Sequence, residues 1–268
     1  MVTTQTILSG NQKFVIGVDM NDITVVLNGY RRPHNLKKQV EAVQGQTVKP
    51  VDIFYWQNSM PGVEYDIETA QKNCVSAFSS VNFGVWARFA YALNARTNWV
   101  CVFDDDTIPG SKWFENCLET FKNVPDAGLL GTIGVVFNHA DYGTDHRIGW
   151  DNPNEKPELA DIVGHAWMFH RDMLSVLWRE LPPIDHKYIA GEDIHFSWML
   201  QKYTDKKTYV PPHPVSDKEM WGSLDGWRLG GDSVATAGNG GIPYMAKYLR
   251  HAYDNGFKFL LGDKVQKY

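Results

Sequence analysis

The chain has 268 residues and a formal net charge of −5, so it is long enough for one large α/β domain or two small ones. It has no block of Lys and Arg, which argues against a nucleic acid partner, because phosphate-backbone binding usually needs clustered cations. Its apolar runs fall far short of the roughly 20 residues that a transmembrane helix needs. Residues 1–12 are polar where a signal peptide would be apolar. We therefore expect no transmembrane segment and a cytoplasmic location, with peripheral membrane association left open.

The cysteines support the same compartment. Cys74, Cys101 and Cys117 are odd in number, and two of them fall in predicted core elements. We expect all three to behave as small buried hydrophobic residues in a reducing environment.

After a polar leader, the first hundred residues alternate between predicted strands and helices. Strands are predicted at short apolar runs, and helices where apolar residues recur every three to four positions. The predicted strands are 23–27, 51–56, 74–78 and 99–103, the predicted helices are 34–44 and 82–95, and 62–72 is a loop or a short helix. This order of β, loop and α units is typical of a parallel sheet with right-handed crossovers.

The second half continues with fewer regular signals. Strands are predicted at 127–137, 161–169 and 208–210, and helices near 113–121, at 171–179, from about 191 and at 242–252. Residues 139–157 read as one long irregular segment, and loops of that length are often functional. We find no repeat or linker, so we expect a single domain over 1–268 with a Gly- and Trp-rich C-terminal extension from about 215.

Three carboxylates, Asp104, Asp105 and Asp106, directly follow the apolar strand 99–103. Buried charges are costly unless they are paired or bound to metal, so these residues belong at the carboxyl end of the strand, where open α/β sheets bind ligands. In an extended segment Asp104 and Asp106 point to one side and Asp105 to the other. Two hard oxygen ligands then suit Mg²⁺ or Mn²⁺ carrying a diphosphate. The alternative is a turn followed by a helix cap.

Four separated motifs, in this order, resemble those of a GT-A glycosyltransferase. They are the strand exit 27–33, the turn 82–88, the acidic strand end 104–106 and the helix start 191–193. The resemblance covers roughly residues 20–214 and implies a Rossmann-like α/β fold with a mostly parallel sheet flanked by helices. The whole pattern is most similar to family-2 transferases, which invert the anomeric centre. The strings 55–58 and 101–106 and the pair Glu192-Asp193 also look like exostosin-like hexosaminyltransferases, which retain it.

The resemblance implies a metal-bound donor site. Asp106 would bind Mn²⁺ or Mg²⁺, joined by Asp104 and by His213 after the last predicted strand. Asp104 or Asp105 would hold the ribose or a metal-bound water. For His213, a packing role between prolines is an equal alternative.

The nucleotide would lie against the first loop and the neighbouring strand exits. Tyr30 would stack on the base, Arg31 or Arg88 would bind the diphosphate as a bidentate fork, and the amides of Gln57 and Asn58 would read uracil. The full set of donor-site candidates is Asn28, Gly29, Tyr30, Arg31, Gln57, Asn58, Asn82, Arg88, Asp104 and Asp105.

For catalysis, the resemblance assigns Asp193 as the base that takes the acceptor hydroxyl proton, with Glu192 binding an acceptor hydroxyl. Acids in a first helical turn that simply complement the helix dipole are the structural alternative. Further acceptor-site candidates are Trp150, His165, Trp167 and Tyr188, although aromatic residues near a strand are more often part of the core.

We thus expect a metal-dependent glycosyltransferase of the hexosyl- or deoxyhexosyltransferase class. It would move a sugar from a nucleoside diphosphate donor, UDP-linked, to a saccharide or glycan acceptor with inversion. The alternatives are a retaining exostosin-like transferase, a nucleotidyltransferase, a glycosidase using Asp106 and Asp193, and a carbohydrate-binding protein on the same fold. A nucleotidyltransferase is disfavoured because residues 28–32 lack its Gly-rich phosphate loop.

Overall fold

The computed structural model describes residues 22–141, 146–150, 152–182, 190–225 and 241–262, the single residues 229, 231, 233 and 235, and the backbone of 2–9 and 12–19. Within the polar leader, β1 (Val2–Ser9) pairs antiparallel with β2 (Gln12–Asp19). The sequence analysis predicts no strand in this leader, so the hairpin differs from the prediction.

The described residues form one nine-stranded sheet. Its strands are β3 (Ile23–Gly29), β4 (Asp52–Gln57), β5 (Val75–Phe78), β6 (Trp99–Phe103), β7 (Ala127–Val136), β8 (His146–Gly149), β9 (Glu158–Leu159), β10 (Ile162–His170) and β11 (Lys207–Val210). The spatial order is β5-β4-β3-β6-β10-β7-β11-β9, and β8 pairs with β7. Strand β10 runs antiparallel to both neighbours, whereas β5, β4, β3, β6, β7 and β11 share one direction. The sheet is therefore mostly parallel, as the sequence predicts.

Seven α-helices flank the sheet within the described residues. They are α1 (Leu36–Gln44), α2 (Ile67–Asn73), α3 (Trp86–Tyr91), α4 (Trp113–Asn123), α5 (Met173–Leu177), α6 (Glu192–Tyr203) and α7 (Gly241–Asp254). Helix α2 lies in the segment predicted as a loop or short helix, and α3 continues as a 3-10 turn, Ala92–Asn94. No helix among these is long and apolar enough to cross a bilayer.

The centre of the sheet is covered on both faces. Val100 and Val102 of β6 belong to one core cluster, while Cys101 and Phe103 belong to the cluster on the other face. Strand β6 is therefore buried on both sides, as its continuous apolar run allows, and the charged residues that follow lie beyond the sheet edge.

The segment 139–157 is more regular than predicted in its described part. Strand β8 lies inside it and pairs antiparallel with β7, and Gly149 forms a further bridge with Asn152. A four-residue edge strand with two charged or titratable residues, His146 and Arg147, lacks the apolar alternation that would reveal it in the sequence.

Candidate active site

The acidic turn after β6 is held from below by side chains of the first helical segment. Asn35 Nδ2 donates to the carbonyl of Asp105 at 2.9 Å, and Gln39 Nε2 donates to the carbonyls of Asp104 at 2.6 Å and Thr107 at 3.0 Å. These amides bond backbone oxygens of the turn, and the Asp104 carbonyl also accepts from the Thr107 amide at 3.2 Å. The turn is thereby fixed against α1.

Two buried arginines orient the carboxylates. Arg88 Nη1 pairs with Asp104 Oδ1, and Arg32 Nη1 lies 2.8 Å from Asp105 Oδ1 and 3.1 Å from Asp106 Oδ2. Arg32 therefore contacts both Asp105 and Asp106, so these pairings do not separate Asp105 from the side on which Asp104 and Asp106 meet. Each of those two residues keeps one carboxylate oxygen that is not engaged by an arginine in these contacts.

His165 faces these two remaining oxygens. Its Nδ1 lies 3.5 Å from Asp104 Oδ2 and 3.5 Å from Asp106 Oδ1. His165 lies at a register shift of β10 against β7, and its φ of 64° is in the left-handed region. Bulges re-aim side chains beside active sites. The irregularity thus turns the imidazole toward the acids while its carbonyl accepts from the Asp104 amide at 2.9 Å.

Trp150 backs the His165 ring. The two ring centroids are 4.2 Å apart, and Trp150 also has a positive φ, 46°. Among the described residues these are the two non-glycine positions with positive φ. Strained backbone that the surrounding structure maintains is concentrated at functional sites, and here both strained residues lie in one contact beside the acids.

The ligand atoms of Asp104, Asp106 and His165 all lie within 4.8 Å of one another. Nδ1 of His165 is buried and has no hydrogen-bond partner of ordinary length. Two carboxylate oxygens and one imidazole nitrogen form a donor set that Mn²⁺ accepts. The residues present therefore fit a divalent cation, and an orphaned buried nitrogen is the feature that such an ion would explain.

The surroundings shift the pKa values of Asp105 and Asp106 in opposite directions. Burial acts to raise the pKa of Asp106, but the proximity and charge of His165, together with Arg32 and Arg88, outweigh it and lower that pKa. Burial, followed by the charge of Asp106, raises the pKa of Asp105 to about 6 despite Arg32. Arg32 and Arg88 favour the ionised form of Asp106 also when His165 is neutral, which is the state in which an imidazole binds metal.

A second acidic pair opens α6. Gly191 precedes it with a φ of 96°, and Glu192 Oε1 lies 2.6 Å from Arg88 Nη2. Burial raises the pKa of both Glu192 and Asp193, and the charge of Asp104 raises each further. Asp193 accepts a hydrogen bond from the Ile194 amide at 2.8 Å. Arg88 contacts both Asp104 and Glu192, which places the two acidic groups next to one another.

Arg88 joins the two acidic groups. It is 1% exposed, Nη1 also donates to Asn28 Oδ1 at 2.8 Å, and its guanidinium lies 4.6 Å from the Trp167 ring centroid. The sequence analysis expects Arg88 to bind the diphosphate; the described contacts instead direct it at Asp104, Asn28 and Glu192. Glu192 is likewise directed at Arg88, so both side chains position their neighbours.

His213 lies among protein contacts. Its Nδ1 donates to the Pro211 carbonyl at 2.8 Å, and Nε2 contacts Thr132 Oγ1 at 3.1 Å and accepts from the Gly222 amide at 3.3 Å. Burial lowers the pKa of His213 to about 4. His165, and not His213, completes the described cluster with the two carboxylates. A ligand role for His213 stays a prediction that these contacts do not support.

The amides at the exit of β4 are also engaged. Gln57 is fully buried, accepts from the Tyr55 hydroxyl and donates to the Asn58 carbonyl at 2.8 Å. Asn58 accepts from Trp56 Nε1 at 3.0 Å and from the Phe83 amide at 3.1 Å, and donates to the Gly84 carbonyl at 2.9 Å. Their predicted reading of uracil would require these bonds to be exchanged.

The rest of the predicted donor loop is arranged as follows. Tyr30 and Arg31 are half-buried, with the Arg31 guanidinium 5.0 Å from the Tyr30 ring centroid. Gly29 is required by close packing, because a Cβ there would lie 2.1 Å from the Tyr55 hydroxyl. Asn82 is exposed and accepts from the Gly84 amide at 2.7 Å. Their nucleotide contacts stay predictions.

Of the predicted acceptor residues, the structure separates core from site. Trp167 is 2% exposed, packs edge-on against Phe89 and donates from Nε1 to the Val163 carbonyl at 2.8 Å. It supports Arg88 from the core. Trp150 and His165 lie beside the acids, and Tyr188 lies outside the described residues.

Sequence reasoning missed Arg32 and gave His165 a different role. Arg32 follows Arg31 directly, and only the fold shows that the second arginine is the one 2.8 Å from Asp105. The pairing spans 73 positions, so no local pattern encodes it. One feature of the sequence could have indicated Arg32. Three adjacent buried acids need nearby cations, and Arg31 and Arg32 follow the end of β3, the strand that pairs with β6.

The strand order, with acidic residues at the carboxyl end of β6, is that of the GT-A glycosyltransferases. The sequence profile of glycosyl transferase family 2 matches residues 24–178, more than half of the chain. The chain belongs to this family.

Among solved structures, TarS from S. aureus has a similar fold. One TarS structure superposes with a TM-score of 0.51 at 12% sequence identity, covering 72% of this chain and 35% of TarS. TarS 1–349 in complex with UDP gives 0.50 at 12% identity, and its complex with UDP-GlcNAc gives 0.51 at 10% identity. The matched region spans 58% and 56% of those two chains. No curated protein sequence matches the chain.

Proposed function

We propose that this protein is a metal-dependent, inverting glycosyltransferase that moves a sugar from UDP to a saccharide or glycan acceptor. The observation that carries the proposal is the convergence of Asp104, Asp106 and His165 at the carboxyl end of β6, with all ligand atoms within 4.8 Å of one another. Family membership supports the reaction class. The proposed transfer is of a hexosyl or deoxyhexosyl group.

The donor proposal rests on two supports. TarS, which shares the fold, has been crystallised with UDP and with UDP-GlcNAc. In this chain the loop after β3, with Tyr30 and Arg31, borders the acidic turn because β3 pairs directly with β6. We propose that this loop holds the nucleoside and diphosphate.

The arginines prepare the site for a cation. Arg88 and Arg32 each hold one oxygen of Asp104 and Asp106, so that the other oxygen of each faces His165. The chemistry that a bound Mn²⁺ or Mg²⁺ supplies is Lewis-acid stabilisation of the negative charge on the departing diphosphate. Because the carboxylates are oriented before binding, little reorganisation is needed.

Asp193 serves as the general base. As the acceptor oxygen bonds to the anomeric carbon, the bond from that carbon to the diphosphate oxygen breaks and the hydroxyl proton passes to the Asp193 carboxylate. A raised pKa makes that carboxylate a stronger base than an ordinary Asp. Attack opposite the leaving group inverts the anomeric centre. Glu192, held by Arg88, keeps the start of α6 next to Asp104.

The unpaired thiols of Cys74, Cys101 and Cys117 fit a reducing compartment, so we keep a cytoplasmic location as part of the proposal. Fractionation of cells producing the tagged protein checks it. The protein is expected with the soluble cytoplasmic fraction, and recovery in an extracytoplasmic fraction would contradict this.

A panel of sugar nucleotides tests the function. We expect Mn²⁺-stimulated hydrolysis of UDP sugars, detected as released UDP, with one sugar preferred and with rates raised by an accepted saccharide. NMR of the product then gives the anomeric configuration. Hydrolysis without metal stimulation, or binding of saccharides with no turnover of any donor, would contradict the proposal. An axial product linkage from an axial donor would contradict inversion alone and favour the retaining alternative.

A further inference from the structure

Helix α7 lies beyond the family match and packs on the helix that carries the proposed base. Tyr248, Leu249 and Ala252 of α7 are buried in one apolar cluster with Ile194 and Trp198 of α6. The cluster excludes water along the length of the contact. Residues 241–254 are therefore a structural partner of α6.

The same tail is fixed beyond α7. Gln201 Nε2 donates to the Lys258 carbonyl and Gln201 Oε1 accepts from the Lys258 amide, both at 2.8 Å. Asp161 accepts from the Leu260 amide at 2.7 Å and from the Phe137 amide at 2.8 Å. These bonds tie the tail to α6 and to the sheet, so α7 has a defined position.

Tyr248 contacts the residue that precedes the acidic pair. A Cβ built on Gly191 would lie 2.5 Å from Tyr248 Cδ1, so the ring fills the space that any side chain there would need. Gly191 also has a φ of 96°, which L side chains rarely adopt. The ring and the glycine together set the path by which the chain enters α6.

The Tyr248 hydroxyl is held by His195, one turn into α6. His195 Nε2 lies 3.0 Å from the Leu177 carbonyl and 3.2 Å from the Glu180 carbonyl, and carbonyls only accept, so Nε2 carries the proton. In a neutral ring Nδ1 then accepts, and Tyr248 donates to it at 2.8 Å. Burial lowers the pKa of His195, in agreement with a neutral ring.

We infer that Tyr248 is a positioning residue for catalysis: its ring against Gly191 and its hydroxyl on His195 fix the first turn of α6, and with it the carboxylate of Asp193. The His195 amide bonds the Gly191 carbonyl at 2.9 Å, so the residues Tyr248 touches close the turn that contains Asp193. This inference rests on the proposed function of Asp193. It gives the C-terminal extension a part in the reaction.

Two substitutions of Tyr248 and one neighbour form the test. Tyr248→Phe keeps the ring and removes the hydrogen bond, and Tyr248→Ala removes both. Leu249→Ala, at the next and equally buried position of α7, is the control for lost packing. The readouts are kcat, KM for the UDP sugar, the melting temperature, and hydrogen–deuterium exchange in the peptide covering 190–196.

We expect Tyr248→Phe to lower kcat about tenfold, the factor that corresponds to the free energy of one buried hydrogen bond. We expect Tyr248→Ala to lower kcat about 100-fold, because a misplacement of about 1 Å has an effect of that size. KM for the donor stays within about twofold, because the donor site lies on β3 and β6. Exchange in 190–196 becomes faster in both variants. Leu249→Ala lowers the melting temperature but keeps kcat within about twofold.

The outcomes separate this inference from the proposed function. If Asp193→Asn abolishes turnover but both Tyr248 variants retain kcat and the wild-type exchange in 190–196, Tyr248 does not position the base. An equal loss of kcat in Leu249→Ala would also overturn the inference, since the effect would be general destabilisation. If the wild-type protein turns over no sugar nucleotide, the proposed function fails and with it the catalytic part of the inference, whatever the exchange shows.

Discussion

Two acidic clusters built from the same residue types have opposite environments in this site. Asp104 and Asp106, after β6, lie against Arg88, Arg32 and His165, and the pKa of Asp106 is lowered. Glu192 and Asp193, at the start of α6, are dominated by burial, and the pKa of each is raised. The first environment suits ligands that stay ionised, and the second suits a proton acceptor.

One residue connects the two. Arg88 pairs with Asp104 through Nη1 and with Glu192 through Nη2, so the carboxyl end of β6 and the start of α6 are held by a single guanidinium. The surrounding charges and burial thus give the two pairs of carboxylates different pKa directions, and one guanidinium contacts both pairs. Each experiment below separates the clusters or breaks their connection.

The largest expected effect comes from Asp193→Asn. Removing the general base should lower kcat by about 10³-fold, within the range that general base catalysis contributes. Binding of UDP with Mn²⁺ should be unchanged, because that cluster does not contain Asp193. Steady-state kinetics and calorimetry measure the two quantities.

The matched control is Asp172→Asn, since Asp172 also precedes a helix but is exposed. It should leave kcat within about twofold of wild type. A comparable loss in both variants, or a loss of UDP binding in Asp193→Asn, would contradict the division of roles between the clusters.

Breaking the connection should affect both clusters at once. Arg88→Gln leaves Asp104 and Glu192 without their shared partner, and removing one member of a buried ion pair costs about 3–5 kcal/mol of unfolding free energy. We expect weaker Mn²⁺-UDP binding and a lower kcat together. Denaturant unfolding, calorimetry and kinetics give the three values.

Arg96→Gln, an exposed arginine near the end of the same helical segment, is the control and should change none of them. If Arg88→Gln weakens binding but leaves kcat unaltered, Arg88 serves the donor alone, as the sequence analysis expects. The connection between the clusters would then be incorrect.

His213 should contribute a pH dependence of stability with no part in catalysis. Burial lowers its pKa from 6.5 to about 4, so between these values the unfolded chain binds more protons and stability falls as the pH falls. The cost approaches about 3 kcal/mol at the low end of this window. The gap in unfolding free energy between wild type and His213→Gln should therefore narrow from pH 7 to pH 5.

A constant gap in unfolding free energy between wild type and His213→Gln would contradict the lowered pKa of His213. Loss of Mn²⁺-dependent UDP binding in that variant would support its predicted role as a metal ligand.

The smallest expected effect is a shift in the acid limb of the pH profile, which is the pH range in which kcat/KM falls as the pH decreases. A general base acts when deprotonated, so activity falls about tenfold per pH unit below its pKa. Because burial raises the pKa of Asp193, the limb should lie above the value of about 4 typical of an exposed Asp. It should be absent from the residual activity of Asp193→Asn, and a limb near pH 4 in wild type would contradict the assignment.

Local signals were sufficient to predict most strands of the sheet and the helices that flank it. A continuous apolar run predicted 99–103 without error, and α7 was expected at 242–252 and lies at Gly241–Asp254. Strand β9, Glu158–Leu159, has two residues and no periodicity to detect. The antiparallel direction of β10 depends on its partners β6 and β7, which lie 27 to 71 positions earlier in the register, and no local pattern encodes it.

The site was predictable to the same depth. Strand alternation placed Asp104 and Asp106 on one side, since that follows from the period of an extended chain. His165 was predicted only as an acceptor-site candidate, because its orientation depends on a register shift and a φ of 64°. Arg32 and Arg88 acquire their roles from residues 16 to 104 positions away. Sequence thus specifies which groups are present, and the long-range pairing decides which of them meet.

The most direct test of the central claim is titration of UDP into the protein with and without Mn²⁺, for wild type, Asp106→Asn and His165→Ala. We predict metal-dependent binding in wild type, weakened by more than about 100-fold in Asp106→Asn, since even outer-shell losses cost 10- to 100-fold in metal affinity. His165→Ala should also weaken it, while Asp172→Asn should not. Binding of UDP that is indifferent to Mn²⁺ and to both substitutions would contradict the account.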